Sequence, residues 1–239
     1  MTCEACRSIP PVASTGTEQG QYEEIAGLNT YITGPRNSRI GLVCVYDVFG
    51  LTIQTLQGAD RLARQLGATV LVPDLFHGDA MKPEWFPRDA KGKKELATKF
   101  LSEKAGFSSV DKWGAYGLCW GAKFWECGLN VPQLVILNSG AETPFAASGQ
   151  VHPSRLDKFD AENLTIPHIV LASKDEPADV VEEYRKIVSS NGLGGYIETY
   201  DGMWHGWMGA RANLDDELGY REYTRGYDKL AEFFAEHLK

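Results

Sequence analysis

The chain has 239 residues, of which 43% are hydrophobic and 23% are charged. These values are ordinary for a globular protein, so they exclude collagen-like, coiled-coil and wholly disordered structures. The 32 Asp and Glu residues outnumber the 24 Lys and Arg residues, which gives a formal net charge of -8. This acidic balance argues against nucleic acids and anionic membranes as general partners. No stretch approaches the roughly 20 apolar residues that a membrane-spanning helix requires.

The start of the chain lacks the basic segment and apolar run of a signal peptide, so we expect a cytoplasmic, reducing location. An odd number of cysteines in that setting indicates free thiols rather than a disulfide framework. Two of the thiols form a CxxC motif, but no second CxxC or HxxxH motif completes a zinc site, and we expect no metal. The five cysteines are Cys3, Cys6, Cys44, Cys119 and Cys127.

The first elements in chain order separate an extension from a domain. Residues 1–20 mix Pro, Gly, Ser and Thr without apolar periodicity, which predicts an irregular extension that is mobile or wrapped on the surface. Residues 21–239 are predicted to form a single domain, because no linker or composition shift divides them.

Short apolar runs then alternate with amphipathic stretches from residue 40 onward. This alternation predicts an α/β fold with a mostly parallel central sheet covered by helices on both faces. We expect residues 76–90 and 139–165 to be long loops that build a pocket. The predicted strands are 40–46, 68–72, 112–116, 133–137, 167–172 and 195–200, and the predicted helices are 53–67, 90–104, 124–129, 177–190 and 220–238.

The sharpest motif is Gly117-Leu118-Cys119-Trp120-Gly121, which follows a predicted strand and precedes a predicted helix. A nucleophile elbow needs small residues two positions before and after the nucleophile, since a sharp turn brings these neighbours together and exposes the central side chain. The pattern therefore predicts Cys119 as a nucleophile. The alternative is a structural cysteine buried in a glycine-rich turn.

A cysteine nucleophile needs a base, and the base needs a carboxylate that orients it. His205 lies in a glycine-rich loop after the last predicted strand, whereas the other four histidines fit a structural or exposed role better. Asp175 follows the preceding strand, where it could accept the imidazole Nδ1 proton, with Glu176 and Asp179 as rival carboxylates. The order of Cys119, Asp175 and His205 matches the chain order of α/β-hydrolase triads. The other histidines are His77, His152, His168 and His237.

The oxyanion hole of this architecture takes one backbone N–H from the residue after the nucleophile and one from a loop after an early strand. These donors are predicted to be Trp120 and Val48. Asp47 would lie beside the thiol, but an anion there disfavours the thiolate, so it is not expected to act as the main base.

With these motifs the chain resembles the dienelactone hydrolase family, carboxymethylenebutenolidase-like and of a type common in fungi. The resemblance rests on D-x-F-G at Asp47, P-D-L at residues 73–75, the G-x-C-x-G elbow, the Asp175 loop and H-G-W at His205. It implies an α/β-hydrolase fold, a Cys-Asp-His triad and cofactor-free hydrolysis of a small lactone or ester. It also implies that Asp47, in a position usually held by Glu, pairs with the Cys-His machinery at rest.

Two features of the pocket depart from bacterial members of that family. No Arg follows the P-D-L motif, where this chain has Phe76 and His77, although Arg211 could approximate a second carboxylate-binding Arg. Several tryptophans lie near the predicted site loops, which would favour a flat, apolar ester or lactone. The predicted substrate-binding residues are Tyr46, Phe76, His77, Trp85, Trp204 and Arg211.

The sequence thus predicts a hydrolase that cleaves a small lactone or carboxylic ester through Cys119 and an acyl-enzyme intermediate. We expect a small-molecule substrate, no cofactor, and a monomer or homodimer. One alternative is a biosynthetic esterase or thioesterase acting on an aromatic or polyketide-like substrate. The other is a non-catalytic α/β-hydrolase-like binding protein.

Overall fold

The computed structural model describes residues 8–81, 100, 107–122 and 139–239. Within these residues, eight strands form one sheet and four helices pack against it. The strands are β1 (Gln21–Ile25), β2 (Leu28–Thr33), β3 (Ile40–Val45), β4 (Thr69–Pro73), β5 (Lys112–Leu118), β6 (Ala147–Val151), β7 (His168–Ser173) and β8 (Tyr196–Tyr200). The helices are α1 (Ile53–Leu66), α2 (Lys158–Glu162), α3 (Ala178–Ser190) and α4 (Glu217–Leu238).

The sheet order is β1-β2-β4-β3-β5-β6-β7-β8. All neighbours from β4 to β8 pair in parallel, whereas β1 and β2 form an antiparallel hairpin that continues antiparallel onto β4. The mostly parallel sheet of the sequence prediction is confirmed. The carboxyl ends of β5, β6, β7 and β8 therefore meet along one edge, where parallel sheets bind ligands.

Alternating side chains of β7 show that helices cover both faces of the sheet. Ile169 and Leu171 belong to the large core that also contains α1 and α4. Val170 and Ala172 belong to a second core formed with α2 and α3. A strand buried on both faces must be apolar at consecutive positions, which is why β7 is recognisable in the sequence as a continuous apolar run.

The predicted strands at β3, β4, β5, β7 and β8 and the predicted helices at α1, α3 and α4 are confirmed within a few residues. The β1–β2 hairpin was not predicted. It turns at Ala26 and Gly27, which both have positive φ, and β1 is largely exposed at the sheet edge, so it lacks the apolar run of a buried strand.

The prediction that residues 139–165 form an irregular loop was wrong, because β6 and α2 lie within them. The sequence of β6, Ala-Ser-Gly-Gln-Val, has few apolar residues, although all five are buried. Its polar side chains are satisfied inside the sheet, since Ser148 and Gln150 contact the two ring nitrogens of His168 at 2.8 and 3.3 Å. Polar pairing of this kind leaves no hydrophobic signal in the sequence.

Residues 8–20 lie outside the strands and are attached to the domain at both ends. The Ile9 carbonyl accepts a hydrogen bond from Arg211 Nε at 2.6 Å, and Val12 N–H donates to the Ala210 carbonyl at 2.9 Å. Near the other end, the backbone N–H groups of Gln19 and Gly20 donate to the Tyr31 hydroxyl. These hydrogen bonds hold the segment against the rest of the chain.

Some predictions fall outside the described residues. They comprise the helix over 124–129, the strand over 133–137, most of the loop over 76–90 and of the helix over 90–104, and the residues Cys3, Cys6, Trp85 and Cys127. Among the helices that are described, none has the length and apolar character needed to cross a membrane.

Candidate active site

The elbow motif forms a tight turn after β5. Cys119 has a φ of 51°, a conformation that is costly for a residue with a side chain. A Cβ on Gly117 would collide with the backbone of Gly121 and Ala122, and a Cβ on Gly121 would collide with the carbonyl of Val45. The two glycines are therefore required by close backbone approach, as the nucleophile-elbow interpretation predicts.

The segment that follows β6 holds the backbone of the elbow. Cys119 N–H donates to the Val151 carbonyl at 3.0 Å. The Cys119 carbonyl accepts from both the backbone N–H and the hydroxyl of Ser154, each at 3.3 Å. These bonds on either side of residue 119 stabilise its strained conformation.

His205 lies in the turn after β8 and is held by two adjacent carboxylates. Its Nδ1 is 2.7 Å from Glu176 Oε1, and both side chains are almost completely buried. Asp175 instead accepts the backbone N–H of His205 through Oδ2 at 2.7 Å and is exposed. The predicted contact between Asp175 and the ring is thus corrected: Glu176, the rival carboxylate, reaches Nδ1, because residue 176 turns inward from the end of β7 while residue 175 faces solvent.

Asp47 connects the loop after β3 to the loop that carries His205. Its Oδ1 accepts the Phe49 N–H and its Oδ2 accepts the Ala210 N–H, both at 2.9 Å. Burial raises the pKa of this carboxyl, although the two backbone hydrogen bonds, Arg211 and His205 act in the opposite direction. In the structure these oxygens bond to backbone groups of two loops, whereas the resemblance implied a pairing with the Cys-His machinery.

Arg211 belongs to the same loop as His205, and its side chain is fully buried. Its guanidinium donates to the carbonyls of Ile9 and His205, at 2.6 and 3.4 Å, and lies 4.8 Å from the ring centre of Phe49. The observed contacts of Arg211 connect the N-terminal segment to the His205 loop. They differ from the substrate-carboxylate contact that was predicted for it.

Two of the other predicted binding residues, Tyr46 and Phe76, form an aromatic cluster with Trp120 of the elbow. The rings of Tyr46 and Phe76 are 5.1 Å apart, and those of Phe76 and Trp120 are 5.0 Å apart. All three side chains are buried, and the Tyr46 hydroxyl accepts the Phe76 N–H at 2.7 Å. His77, by contrast, is exposed. The half-buried Trp204 donates from its indole N–H to the Arg211 carbonyl at 3.2 Å.

The sequence pattern favours a structural or exposed role for His152. The structure places its ring against that of His205, with ring centres 5.2 Å apart and an interplanar angle of 71°. His152 is fully buried. It follows β6, a weakly apolar strand that was not predicted. The sequence alone therefore could not place His152 at the same edge of the sheet as His205.

Cys44 and Cys119 are the free thiols among the described residues, and both are buried. Burial raises the pKa of Cys44, the penultimate residue of β3, to about 12. Cys44 is therefore an inert core thiol at neutral pH. The described part of the chain contains no group of three His, Cys, Asp or Glu side chains arranged to hold a metal ion.

Comparison with known proteins places this geometry in a family. Residues 28–238 match the model of the dienelactone hydrolase family. The chain belongs to the dienelactone hydrolase family. The family resemblance stated from the elbow, the Asp47 loop and the His205 loop is thereby confirmed.

This dienelactone hydrolase family chain is also similar to individual proteins over nearly its full length. A Schizosaccharomyces pombe protein described as an AIM2 family protein is 33% identical over 241 residues, covering 91% of this chain and 92% of that protein. The hydrolase tropI of Talaromyces stipitatus is 26% identical, covering 94% and 93%. A crystal structure of the dienelactone hydrolase of Anabaena variabilis has a TM-score of 0.61 at 13% identity, covering 93% and 99%, which is a likeness of fold.

Proposed function

We propose that the protein hydrolyses a small lactone or carboxylic ester through a covalent intermediate on Cys119. The observation that carries this proposal is the strained Cys119 in a glycine-bounded elbow. The buried His205–Glu176 pair follows the last two strands of the same sheet. A backbone strain that costs of order 1–3 kcal/mol persists where function requires it. Membership of the dienelactone hydrolase family supports the same reaction class.

In the first half of the reaction, His205 removes the thiol proton of Cys119 and the thiolate attacks the carbonyl carbon of the substrate. The backbone N–H groups of Val48 and Trp120 hold the oxyanion that forms. When this intermediate collapses, the carbon–oxygen bond to the leaving group breaks and the His205 imidazolium gives its proton to the departing alkoxide. The product is a thioester of Cys119.

In the second half, His205 removes a proton from water, and the resulting hydroxide attacks the thioester carbonyl. Collapse releases the carboxylic acid and returns the proton to Cys119. His205 is positively charged twice during this cycle, so a buried anion at Nδ1 stabilises both charged stages. We assign that role to Glu176 because its carboxylate is within hydrogen-bond distance of the ring, and we assign Asp175 to holding the His205 backbone.

The test is the hydrolysis of p-nitrophenyl acetate by the Cys119→Ala variant. Loss of the nucleophile should lower kcat/KM by at least about 1000-fold. Cys44→Ala is the matched control, because it removes a buried thiol of the same sheet that lies outside the site, and it should retain activity. Circular dichroism checks that both variants are folded.

A Cys119→Ala variant that is folded and as active as the wild type would refute the proposal. A wild-type protein that turns over no member of a panel of dienelactone, phenyl acetate and an acyl thioester would favour the non-catalytic alternative. Within the panel, the preferred member distinguishes a lactone hydrolase from a biosynthetic esterase or thioesterase.

A further inference from the structure

His152 lies in the segment that holds the backbone of the proposed nucleophile, and its ring contacts the proposed base. It lies one residue after Val151 and two before Ser154, the two residues that hydrogen-bond to the backbone of Cys119. On its other side its ring packs against His205. His152 therefore lies in a short segment that contacts both the elbow and the ring of His205.

Neither ring nitrogen of His152 has a hydrogen-bond partner among the residues that the structure describes. Both are fully enclosed, and among the described residues His152 is the only one whose side chain has two such atoms. A buried polar group left without a partner costs about 1–3 kcal/mol. The backbone adds a further cost, because His152 has a φ of 36°.

His168 shows what a purely structural histidine looks like in the same sheet. It is equally buried, but its ring nitrogens contact Ser148 and Gln150. His168 has neither of the two costs found at His152, the unpartnered ring nitrogens and the positive φ. Costs of this kind are tolerated where a ligand uses the group.

We propose that His152 is a further residue of the active site, whose imidazole hydrogen-bonds to an oxygen atom at the reaction centre. This inference rests on the proposed function. The oxygen belongs either to the ester substrate or to the attacking water, and a neutral imidazole can serve both, as it carries one donor and one acceptor.

The surroundings of His152 keep its ring neutral. Burial lowers its pKa well below the usual value, the neighbouring His205 and Arg211 act in the same direction, and only the backbone of His152 itself acts against them. A neutral ring beside His205 does not compete with it for the proton of the thiol. In this arrangement His205 carries the proton, and the uncharged His152 supplies a hydrogen bond.

The experiment compares His152→Phe with His168→Phe and His152→Gln. His152→Phe removes both nitrogens but keeps a planar ring, so its melting temperature should stay near that of the wild type while kcat/KM falls about 10- to 100-fold. His168→Phe should do the reverse, since it breaks satisfied hydrogen bonds away from the site. His152→Gln, which keeps a donor and an acceptor, should recover part of the activity.

Stopped-flow release of p-nitrophenol from p-nitrophenyl acetate distinguishes the two sources of the oxygen. A slower initial burst in His152→Phe assigns the contact to the substrate. An unchanged burst with a slower steady state assigns it to the attacking water. Either result supports the proposal.

A folded His152→Phe variant with kcat/KM within about threefold of wild type would overturn the proposal. If this variant fails to fold, His152→Ala replaces it, with and without added imidazole. Activity that survives in the alanine variant, or a loss that neither imidazole nor His152→Gln reverses, would assign His152 to packing. Cys119→Ala is measured in parallel, because activity lost there but kept in His152→Phe refutes the role of His152 alone.

Discussion

At the scale of single residues, two neighbouring carboxylates hold His205 in different ways. Glu176 is buried and contacts Nδ1 through one oxygen, while its other oxygen accepts the Ser173 N–H. Asp175 is exposed and bonds to the His205 backbone. An anion acts most strongly on a neighbouring charge where water is excluded, so the buried carboxylate is the one suited to stabilise an imidazolium.

This division predicts unequal effects for two isosteric variants. Glu176→Gln removes the charge at the ring and should lower kcat/KM for p-nitrophenyl acetate by about 100-fold or more. Asp175→Asn keeps an oxygen that can accept the backbone N–H, so its activity should remain within about tenfold of wild type. A larger loss in Asp175→Asn than in Glu176→Gln would restore Asp175 to the triad, as the chain order of the motifs predicted.

At the scale of elements, the N-terminal segment 8–20 is part of the structure around the His205 loop. Its Ile9 carbonyl accepts from the buried Arg211, and Val12 bonds to Ala210 and Gln54. Asp47 also holds this loop, because its carboxylate accepts the Ala210 N–H. The loop that carries the proposed base is thus fixed by contacts from two distant parts of the chain.

Truncation tests the contribution of this segment. Removing residues 1–20 deletes several hydrogen bonds and leaves the Arg211 cation without the Ile9 carbonyl, so the melting temperature should fall by at least about 4 °C. Removing residues 1–8 is the matched control, because it retains these contacts and should cause a smaller fall. Equal melting temperatures for the two truncated proteins would show that the segment contributes nothing to stability.

Elements differ in how readily the sequence reveals them. The buried parallel strands β3, β4 and β7 are continuous apolar runs, since helices cover both their faces. β6 was missed because its core contacts include the polar Ser148 and Gln150. His152, which β6 positions, was consequently missed as a site residue.

At the scale of the whole molecule, buried neutral histidines make stability depend on pH. Burial lowers the pKa of His168 from 6.5 to about 3 and lowers that of His152 as well. The unfolded chain therefore binds protons that the folded chain does not, and stability is lost as the pH falls below about 6.5. Asp47 acts in the opposite sense, because its folded pKa is raised.

We predict that His168 alone lowers the free energy of unfolding by about 2 kcal/mol between pH 7 and pH 5. Thermal unfolding of the wild type and of His168→Gln at the two pH values measures this, since the difference between the proteins cancels the contributions of the other groups. The variant should be less stable at pH 7 but should lose less stability on acidification. Parallel pH dependence in the two proteins would contradict the prediction.

The sequence by itself determined the α/β class, most of the parallel strands, the elbow at Cys119 and the loop of His205. These features depend on local patterns: apolar runs, and glycines at positions where the backbone approaches too closely for a side chain. Only the tertiary structure decided that Glu176 rather than Asp175 reaches the imidazole, that Arg211 holds the N-terminal segment, and that His152 adjoins His205. Those contacts join strand ends and loops that are far apart in the chain. Whether residue 175 or residue 176 is buried depends on how the loop after β7 turns, and local sequence patterns do not reveal that.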